Sequence, residues 1–155
     1  ALAGSYAHIL AAGWQLIHVT GEKSDLADPG VAGYTMRRYV DRMDLAFALA
    51  DLIVARSGAA TVSEISALGI PAVYVPYAVG NGEQALNAAA AVAAGAAHVI
   101  PDAEFTADRV RSQIVPLMSN EAALAQMRSA AEVVGTRSGT ENVIALIDAA
   151  LSTQR

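Results

Sequence analysis

The sequence predicts the α/β class, with a parallel sheet that carries helices on both faces. Of its 155 residues, 54% are hydrophobic and 16% are charged, a composition typical of a sheet that is buried on both sides. Over the first hundred residues, short apolar runs alternate with longer stretches of helical periodicity, as in a parallel sheet with right-handed crossovers. The length is that of one domain with its own core. The predicted fold is therefore Rossmann-like.

Five short segments, each bounded by turn residues or polar segments, are the predicted strands. They are Gln15–Val19, Tyr34–Tyr39, Leu52–Ala55, Ala72–Val75 and Ala97–Ile100. The polar stretch 22–33 separates the first two strands, and its Asp28-Pro29-Gly30 sequence predicts a turn. The loop after the fourth strand is expected to be flexible at Gly80-Asn81-Gly82.

The intervening and following segments have helical periodicity. Ser5–Ala12 is the first predicted helix, and Asp41 is expected to cap the second, Arg42–Leu49. The third follows Gly58, has apolar residues at positions 62, 65 and 68, and stops at Gly69. The remaining predicted helices are Glu83–Ala94, Thr106–Met118, Glu121–Val134 and Ser138–Leu151.

Composition excludes several classes of function. A net charge of −5 and a pI near 5.0 argue against nucleic acid as a partner, because phosphate-backbone binding needs a clustered basic surface. The absence of cysteine excludes disulfides, cysteine-ligated zinc and thiol catalysis. Residues 85–100 are the most apolar, but their interruptions favour a packed helix and strand over a membrane span.

The turn from the third strand into the third helix is a candidate anion site. Residues 57–60, Ser-Gly-Ala-Ala, would let a ligand approach the backbone, and the first-turn amides of a helix have no intrahelical partner. A phosphate could therefore bind there without a basic side chain. A capping box, in which Glu64 bonds the amide of Thr61, is an equally good interpretation of the same residues.

Polar residues also follow two other strands, at 39–41 and 81–87. The carboxyl ends of parallel strands meet at one edge of the sheet, so these segments should line a common crevice. Gln84 and Asn87, or Glu83 and Asn87, would share one face of a helix start. The alternative is that they only cap and solvate that helix.

No acid–base pair and no nucleophile motif is apparent. His8, His18 and His98 lie far apart in apolar contexts and are interpreted as packed or surface histidines. There is no Asp-x-Asp pair for a divalent ion and no glycine-rich nucleotide signature. No metal and no cofactor is therefore expected.

Three blocks of sequence resemble the C-terminal half of the MurG family. They are residues 51–64, which contain A-R-S-G-A-A-T-V-S-E, residues 69–76 and residues 80–88, which begin G-N-G-E-Q. The family comprises bacterial glycosyltransferases that move N-acetylglucosamine from UDP-N-acetylglucosamine onto lipid I, giving lipid II in peptidoglycan synthesis. The N-G-E-Q form is similar to the actinobacterial branch.

The resemblance implies a donor site for UDP-N-acetylglucosamine. The backbone at Val40 would meet the uracil edge, Met43 would lie beside the base, and Glu64 would bind the ribose hydroxyls. Gln84 and Asn87 would contact the sugar. Glu83, which stands where many members have glutamine, would be the donor-site residue next to them. The turn and helix start that face the diphosphate would be Ser57, Gly58, Ala59, Ala60 and Thr61.

The resemblance also implies parts that this chain does not contain. A G-G-S-Q-G loop with its strand would lie upstream of Ala1, and an N-terminal acceptor domain would supply the lipid I site, the membrane-contacting patch and the catalytic base. Residues 1–155 are thus expected to be an N-terminally truncated donor-binding domain, with C-terminal helices from about 106 to 152. The fragment is expected to be soluble and inactive, and the full-length protein peripheral on the cytoplasmic face of the membrane.

The function that these expectations favour is the donor half of an inverting, metal-independent GT-B glycosyltransferase. The alternative is a non-catalytic sugar-nucleotide binding module that works only on a membrane-bound partner, as in the split eukaryotic relatives of the family. A sugar-nucleotide epimerase is disfavoured because no acid–base carboxylates or histidines converge.

Overall fold

The computed structural model describes residues 1–78 and 82–152. Its strands are β1 (Leu16–Val19), β2 (Tyr34–Arg37), β3 (Ile53–Ala55), β4 (Ala72–Tyr74) and β5 (Ala97–Val99). Its α-helices are α1 (Tyr6–Ala11), α2 (Met43–Ala48), α3 (Ala59–Ala67), α4 (Glu83–Ala93), α5 (Ala107–Arg109), α6 (Val115–Met118), α7 (Glu121–Val134) and α8 (Gly139–Ser152). All five predicted strands are present, each shorter than predicted. In the loop expected to be flexible, Gly80 and Asn81 lie outside the described residues.

Hydrogen bonds divide the strands into two parallel sheets, β1-β2 and β3-β4-β5. The α/β class and the parallel pairing are confirmed, whereas the expectation of one continuous sheet is wrong for the described residues. Side-chain packing joins the two sheets instead of a ladder. Leu16 of β1 and Val54 of β3 pack against the same buried cluster, which contains Ile9 of α1 and Val73 of β4.

Strand β4 is the centre of the core, and its side chains alternate between two faces. Ala72 and Tyr74 belong to a cluster formed with residues of α3, α4 and α7. Val73 belongs to the opposite cluster, formed with α1 and the helical segment that begins at α5. Helices therefore cover both faces of the three-stranded sheet, as predicted.

Helix α2 begins later than predicted, because Arg42 and not Asp41 is its N-cap residue. The amide of Leu45 donates to the Arg42 carbonyl at 3.1 Å, which places Asp41 one residue too early to cap. The guanidinium of Arg42 pairs with Asp44 at 2.7 Å, and this carboxylate lies in the first turn, where the helix dipole favours negative charge.

The predicted helix at 106–118 is one helical segment with a wider central turn. Thr106 is its N-cap and accepts a hydrogen bond from the Arg109 amide, and the stretch Val110–Ile114 between α5 and α6 is a π-helix. Pro116 lies two residues after Ile114 and has no amide hydrogen to donate to the preceding turn. The missing hydrogen-bond donor of Pro116 explains why the α-helical hydrogen bonding is interrupted in the stretch just before it.

The two C-terminal helices differ in packing. Where α7 ends, Gly135 lies so close to α3 that a Cβ atom would stand 2.1 Å from the Ser66 carbonyl oxygen. The next residues hold the same helix, since Arg137 Nε donates to the Ala67 carbonyl at 2.7 Å. Helix α8 has no buried residue. No helix in the described part of the chain is long and apolar enough to cross a membrane.

Candidate functional site

The turn between β3 and α3 has the form expected of an anion site. Gly58 is the N-cap of α3 in an extended conformation (φ −63°, ψ 148°), and no side chain of the described residues caps this helix. The amide of Val62 donates to the Gly58 carbonyl at 3.0 Å, so Thr61 lies inside the first turn. The capping-box interpretation is therefore wrong, because a capping box requires Thr61 at the N-cap. Glu64 lies one turn further along.

Ser57 connects this turn to helix α4. Its side chain is fully buried, and its hydroxyl has no hydrogen-bond partner among the described residues. Its carbonyl accepts a hydrogen bond of 3.0 Å from Asn87 Nδ2. The start of α4 is thus tied to the start of α3 by one side chain. A buried hydroxyl without a partner is unusual in a folded protein.

Gln84 is held by the segment that follows β4. Its Oε1 accepts a hydrogen bond of 2.9 Å from the amide of Tyr77. Because a backbone amide can only donate and a carbonyl can only accept, the two contacts fix how both side-chain amides are oriented. The Nε2 group of Gln84 and the Oδ1 atom of Asn87 are not used by them. Gln84 can therefore offer a donor to a ligand, and Asn87 an acceptor.

Helix α4 itself begins at a glycine with positive φ. Gly82, its N-cap, has φ 79°, a conformation that other residues adopt only with strain. Glu83 is the first residue of the helix and is exposed. As at α3, no side chain of residues 1–78 and 82–152 is bonded to the first turn of α4 as a cap. The starts of the two helices meet at the carboxyl ends of β3 and β4.

A groove of about 730 Å³ contains both Met43 of α2 and Glu64 of α3. Its walls are mostly apolar, with Phe47 and Leu68 among them, and it continues along α3 towards Arg128 of α7. The groove thus brings together the two residues predicted to meet the base and the ribose. Val40 is half-buried in the loop between β2 and α2 and is not part of the groove lining.

The sequence interpretation missed a network centred on Arg56. Its guanidinium donates to Asp102 Oδ1 at 2.5 Å and to the Val75 carbonyl at 3.2 Å, and it lies 5.3 Å from the ring centroid of Tyr77. Asp102 lies after the end of β5, and Val75 and Tyr77 lie after the end of β4. A search for charged residues after every predicted strand would have selected Asp102, since strand ends share one edge.

His18, whose pKa is shifted, lies away from this edge. His18 Nδ1 lies 2.6 Å from the Tyr34 hydroxyl, within the two-stranded sheet. Burial, with a smaller effect of the amino-terminal charge, lowers the pKa of His18. The described residues contain no group of three or more histidine, aspartate or glutamate side chains placed to hold a metal ion.

The chain matches the family model described as the glycosyltransferase family 28 C-terminal domain over residues 3–143. A protein of Leifsonia xyli subsp. xyli, named UDP-N-acetylglucosamine--N-acetylmuramyl-(pentapeptide) pyrophosphoryl-undecaprenol N-acetylglucosamine transferase, is 48% identical over 97% of this chain and 42% of its own length. The protein of the same name from Clavibacter sepedonicus is 51% identical over 94% of this chain and 40% of its own length. Among solved structures, Acinetobacter baumannii MurG aligns with a TM-score of 0.75 at 26% identity, covering 87% of this chain and 40% of that one.

These comparisons confirm the MurG-family resemblance, and both curated relatives come from actinobacteria, as the N-G-E-Q sequence predicted. The structural neighbours are GT-B glycosyltransferases. This chain spans about two fifths of the length of its curated relatives. It belongs to glycosyltransferase family 28, as the C-terminal domain of that family.

Proposed function

We propose that this chain is the donor-binding half of an inverting GT-B glycosyltransferase that transfers N-acetylglucosamine from UDP-N-acetylglucosamine to lipid I, forming lipid II. The names of both curated relatives state the sugar nucleotide and an undecaprenol-linked acceptor. The relatives are more than twice as long as this chain, so lipid I and the catalytic base are assigned to the rest of the full-length protein. We infer that the full-length protein acts at the cytoplasmic face of the membrane, where a sugar nucleotide and a lipid-linked acceptor could meet.

One observation carries the proposal: Gly58 is the N-cap of helix α3, and no side chain in the described part of the chain caps this helix. The first-turn amides at Ala59, Ala60 and Thr61 have no partner within the helix and carry partial positive charge. These are the groups that a diphosphate needs. During sugar transfer the UDP leaving group gains negative charge, and preoriented amides stabilise that charge without rearrangement.

The neighbouring residues suit the other parts of the donor. The Glu64 carboxylate can accept hydrogen bonds from two ribose hydroxyls, and Met43 shares its groove. Gln84 offers a donor and Asn87 an acceptor, so together they can bind sugar hydroxyls of fixed orientation. Sugar discrimination would follow, because an epimer would leave one of these two oriented polar groups without a partner.

The variant Gly58→Asp tests the diphosphate site, because it puts a carboxylate where the phosphate would bind. Aspartate is a favoured N-cap residue, so stability should stay within about 0.5 kcal/mol of the wild type or rise. UDP affinity should fall by about 2 to 3 kcal/mol, through competition for the same amides and repulsion between like charges. Calorimetry on the full-length protein measures the affinity, and urea unfolding measures the stability.

Two controls make the result specific. Gly58→Ala adds a Cβ whose nearest described neighbour is Thr61 Oγ1 at 3.8 Å, so the folded chain has room for it. This variant introduces no charge, and it should keep its UDP affinity. Uridine has no phosphate, and its weaker binding should be unchanged in Gly58→Asp. Equal UDP affinity in Gly58→Asp and the wild type would show that the diphosphate binds elsewhere.

A further inference from the structure

Arg56 links the ends of two strands that are distant in sequence. It follows β3, and its Nη1 atom donates to the carbonyls of Val75 and Pro76, after β4, at 3.2 and 3.4 Å. The same atom donates to Asp102, after β5, at 2.5 Å. Its guanidinium also lies 5.3 Å from the ring centroid of Tyr77, in cation–π range. One side chain therefore holds the segment that leaves β4.

The ion pair between Arg56 and Asp102 is too exposed to contribute much to the folding free energy, so stability alone does not account for it. The side chains of Arg56 and Asp102 are 48% and 35% exposed, and ion pairs of this kind add little to folding free energy. Most other described ion pairs join residues that are close in sequence: Arg42–Asp44, Arg109–Glu104 and Arg111–Asp108. The Arg56 pair instead joins residues 46 positions apart, at the edge where the candidate site lies.

The segment that Arg56 holds also orients Gln84. The amide of Tyr77 donates to Gln84 Oε1 at 2.9 Å, and this contact leaves Gln84 Nε2 for a ligand. If the segment moved, the Tyr77 amide would move with it and the side-chain amide of Gln84 could rotate. The Nε2 group of Gln84 would then no longer be held in one orientation towards a ligand.

We propose that Arg56 and Asp102 are a positioning pair that fixes the segment 75–77, and through it the Gln84 donor that reads the sugar of the nucleotide. The inference rests on the function proposed above. Neither residue needs to touch the sugar, since both act through the Tyr77 amide. The diphosphate is bound by the start of α3, so the pair should affect the sugar nucleotide more than UDP.

The test uses Asp102→Ala, Arg56→Lys and the double variant in the full-length protein. Lysine keeps the charge but lacks the planar group that can serve two carbonyls, a carboxylate and a ring at once. We expect affinity for UDP-N-acetylglucosamine to fall about fivefold to tenfold in each single variant. UDP affinity should change less than about twofold. The double variant should lose little more than either single one, because the two residues act as a unit.

Asp108→Asn is the matched control, because Asp108 pairs with Arg111 at 2.9 Å on an exposed helix surface far along the chain from Gln84. It should leave both affinities and the melting temperature unchanged. The proposal is overturned if Asp102→Ala lowers only the melting temperature, or lowers UDP and sugar-nucleotide affinity equally. Wild-type protein that fails to bind UDP-N-acetylglucosamine would instead refute the proposed function, and the inference with it.

Discussion

The two sheets of this domain differ in how fully they are buried. In β4, at the centre of the three-stranded sheet, Ala72, Val73 and Tyr74 are each 1% exposed, whereas Ile17 and Val19 of β1 are 44% and 43% exposed. Helices α3 and α4, which carry the candidate diphosphate and sugar contacts, pack on the buried sheet. Val40, the candidate base contact, follows the exposed one. Groups that need fixed positions thus lie on the better-packed part of the molecule.

Each sheet contains one buried tyrosine, which makes the comparison measurable. The Tyr74 hydroxyl is hydrogen-bonded to Ser66, and burial raises the pKa of Tyr74 to about 12. The Tyr34 hydroxyl instead lies 2.6 Å from His18 Nδ1, and the Tyr34 ring packs on Tyr6 at 5.0 Å. One hydrogen bond is between neutral groups in a closed core. The other involves a histidine whose pKa is lowered by burial, so that the folded chain favours the neutral ring.

The largest effect is expected where α7 packs on the buried side. Gly135→Ala would put a Cβ atom 2.1 Å from the Ser66 carbonyl oxygen, so a backbone must move. The free energy of unfolding should fall by about 3 kcal/mol, as measured by urea unfolding of this chain. Gly139→Ala is the control, because no described atom lies within 4 Å of its added Cβ. Equal stability of the two variants would show that α7 and α3 do not pack this closely.

Removing the two tyrosine hydroxyls compares the sheets directly. Tyr74→Phe should cost about 2 kcal/mol, because it leaves the buried Ser66 hydroxyl without its partner. Tyr34→Phe should cost about 1 kcal/mol, since water can reach the partly exposed His18. Thermal unfolding of both variants at neutral pH gives the difference. A larger loss for Tyr34→Phe would contradict the prediction, because it would show that the two-stranded sheet depends more on its tyrosine hydroxyl than the three-stranded sheet does.

The smallest expected effect is a pH dependence confined to the two-stranded sheet. Burial lowers the pKa of His18 from its ordinary value of 6.5, so the unfolded chain takes up this proton at a higher pH than the folded chain. The stability that the neutral ring contributes is therefore complete above about pH 6.5, and it is lost as the pH falls from there through the lowered folded-state pKa.

Melting temperatures measured from about pH 8 down to about pH 5 should reveal this loss. The variant His18→Gln should have a shallower slope across that range, while His98→Gln, at an exposed position, should keep the wild-type slope. If His18→Gln retains the full slope, another group is responsible for it.

Local sequence patterns predicted much of this fold, because local chemistry determines much of it. The alternation of apolar runs and helical periods located every strand, and Gly58 marked the start of α3. Where a cap had to be chosen between neighbours, the pattern failed. Asp41 and Thr61 both have good capping side chains, yet the helices begin at Met43 and Ala59, because the backbone turns at Arg42 and Gly58.

Long-range contacts were outside the reach of such patterns. The division into two sheets depends on which strands are hydrogen-bonded to each other. An apolar run does not reveal which other strand it pairs with. The pairing of Arg56 with Asp102 depends on two strand ends meeting in space. Residue types placed Gln84 and Asn87 on one helix face, but only the contacts with Tyr77 and Ser57 determine which end of each amide is left for a ligand.

The hydrogen bond from Asn87 to the Ser57 carbonyl couples the starts of α3 and α4 within the chain itself. The conformational entropy of arranging these two helices is therefore lost when the chain folds, and not when a ligand binds. A molecule that spans both helix starts meets a preorganised surface. Its affinity is not reduced by an ordering step at this point, and its association needs no slow rearrangement of the two helices.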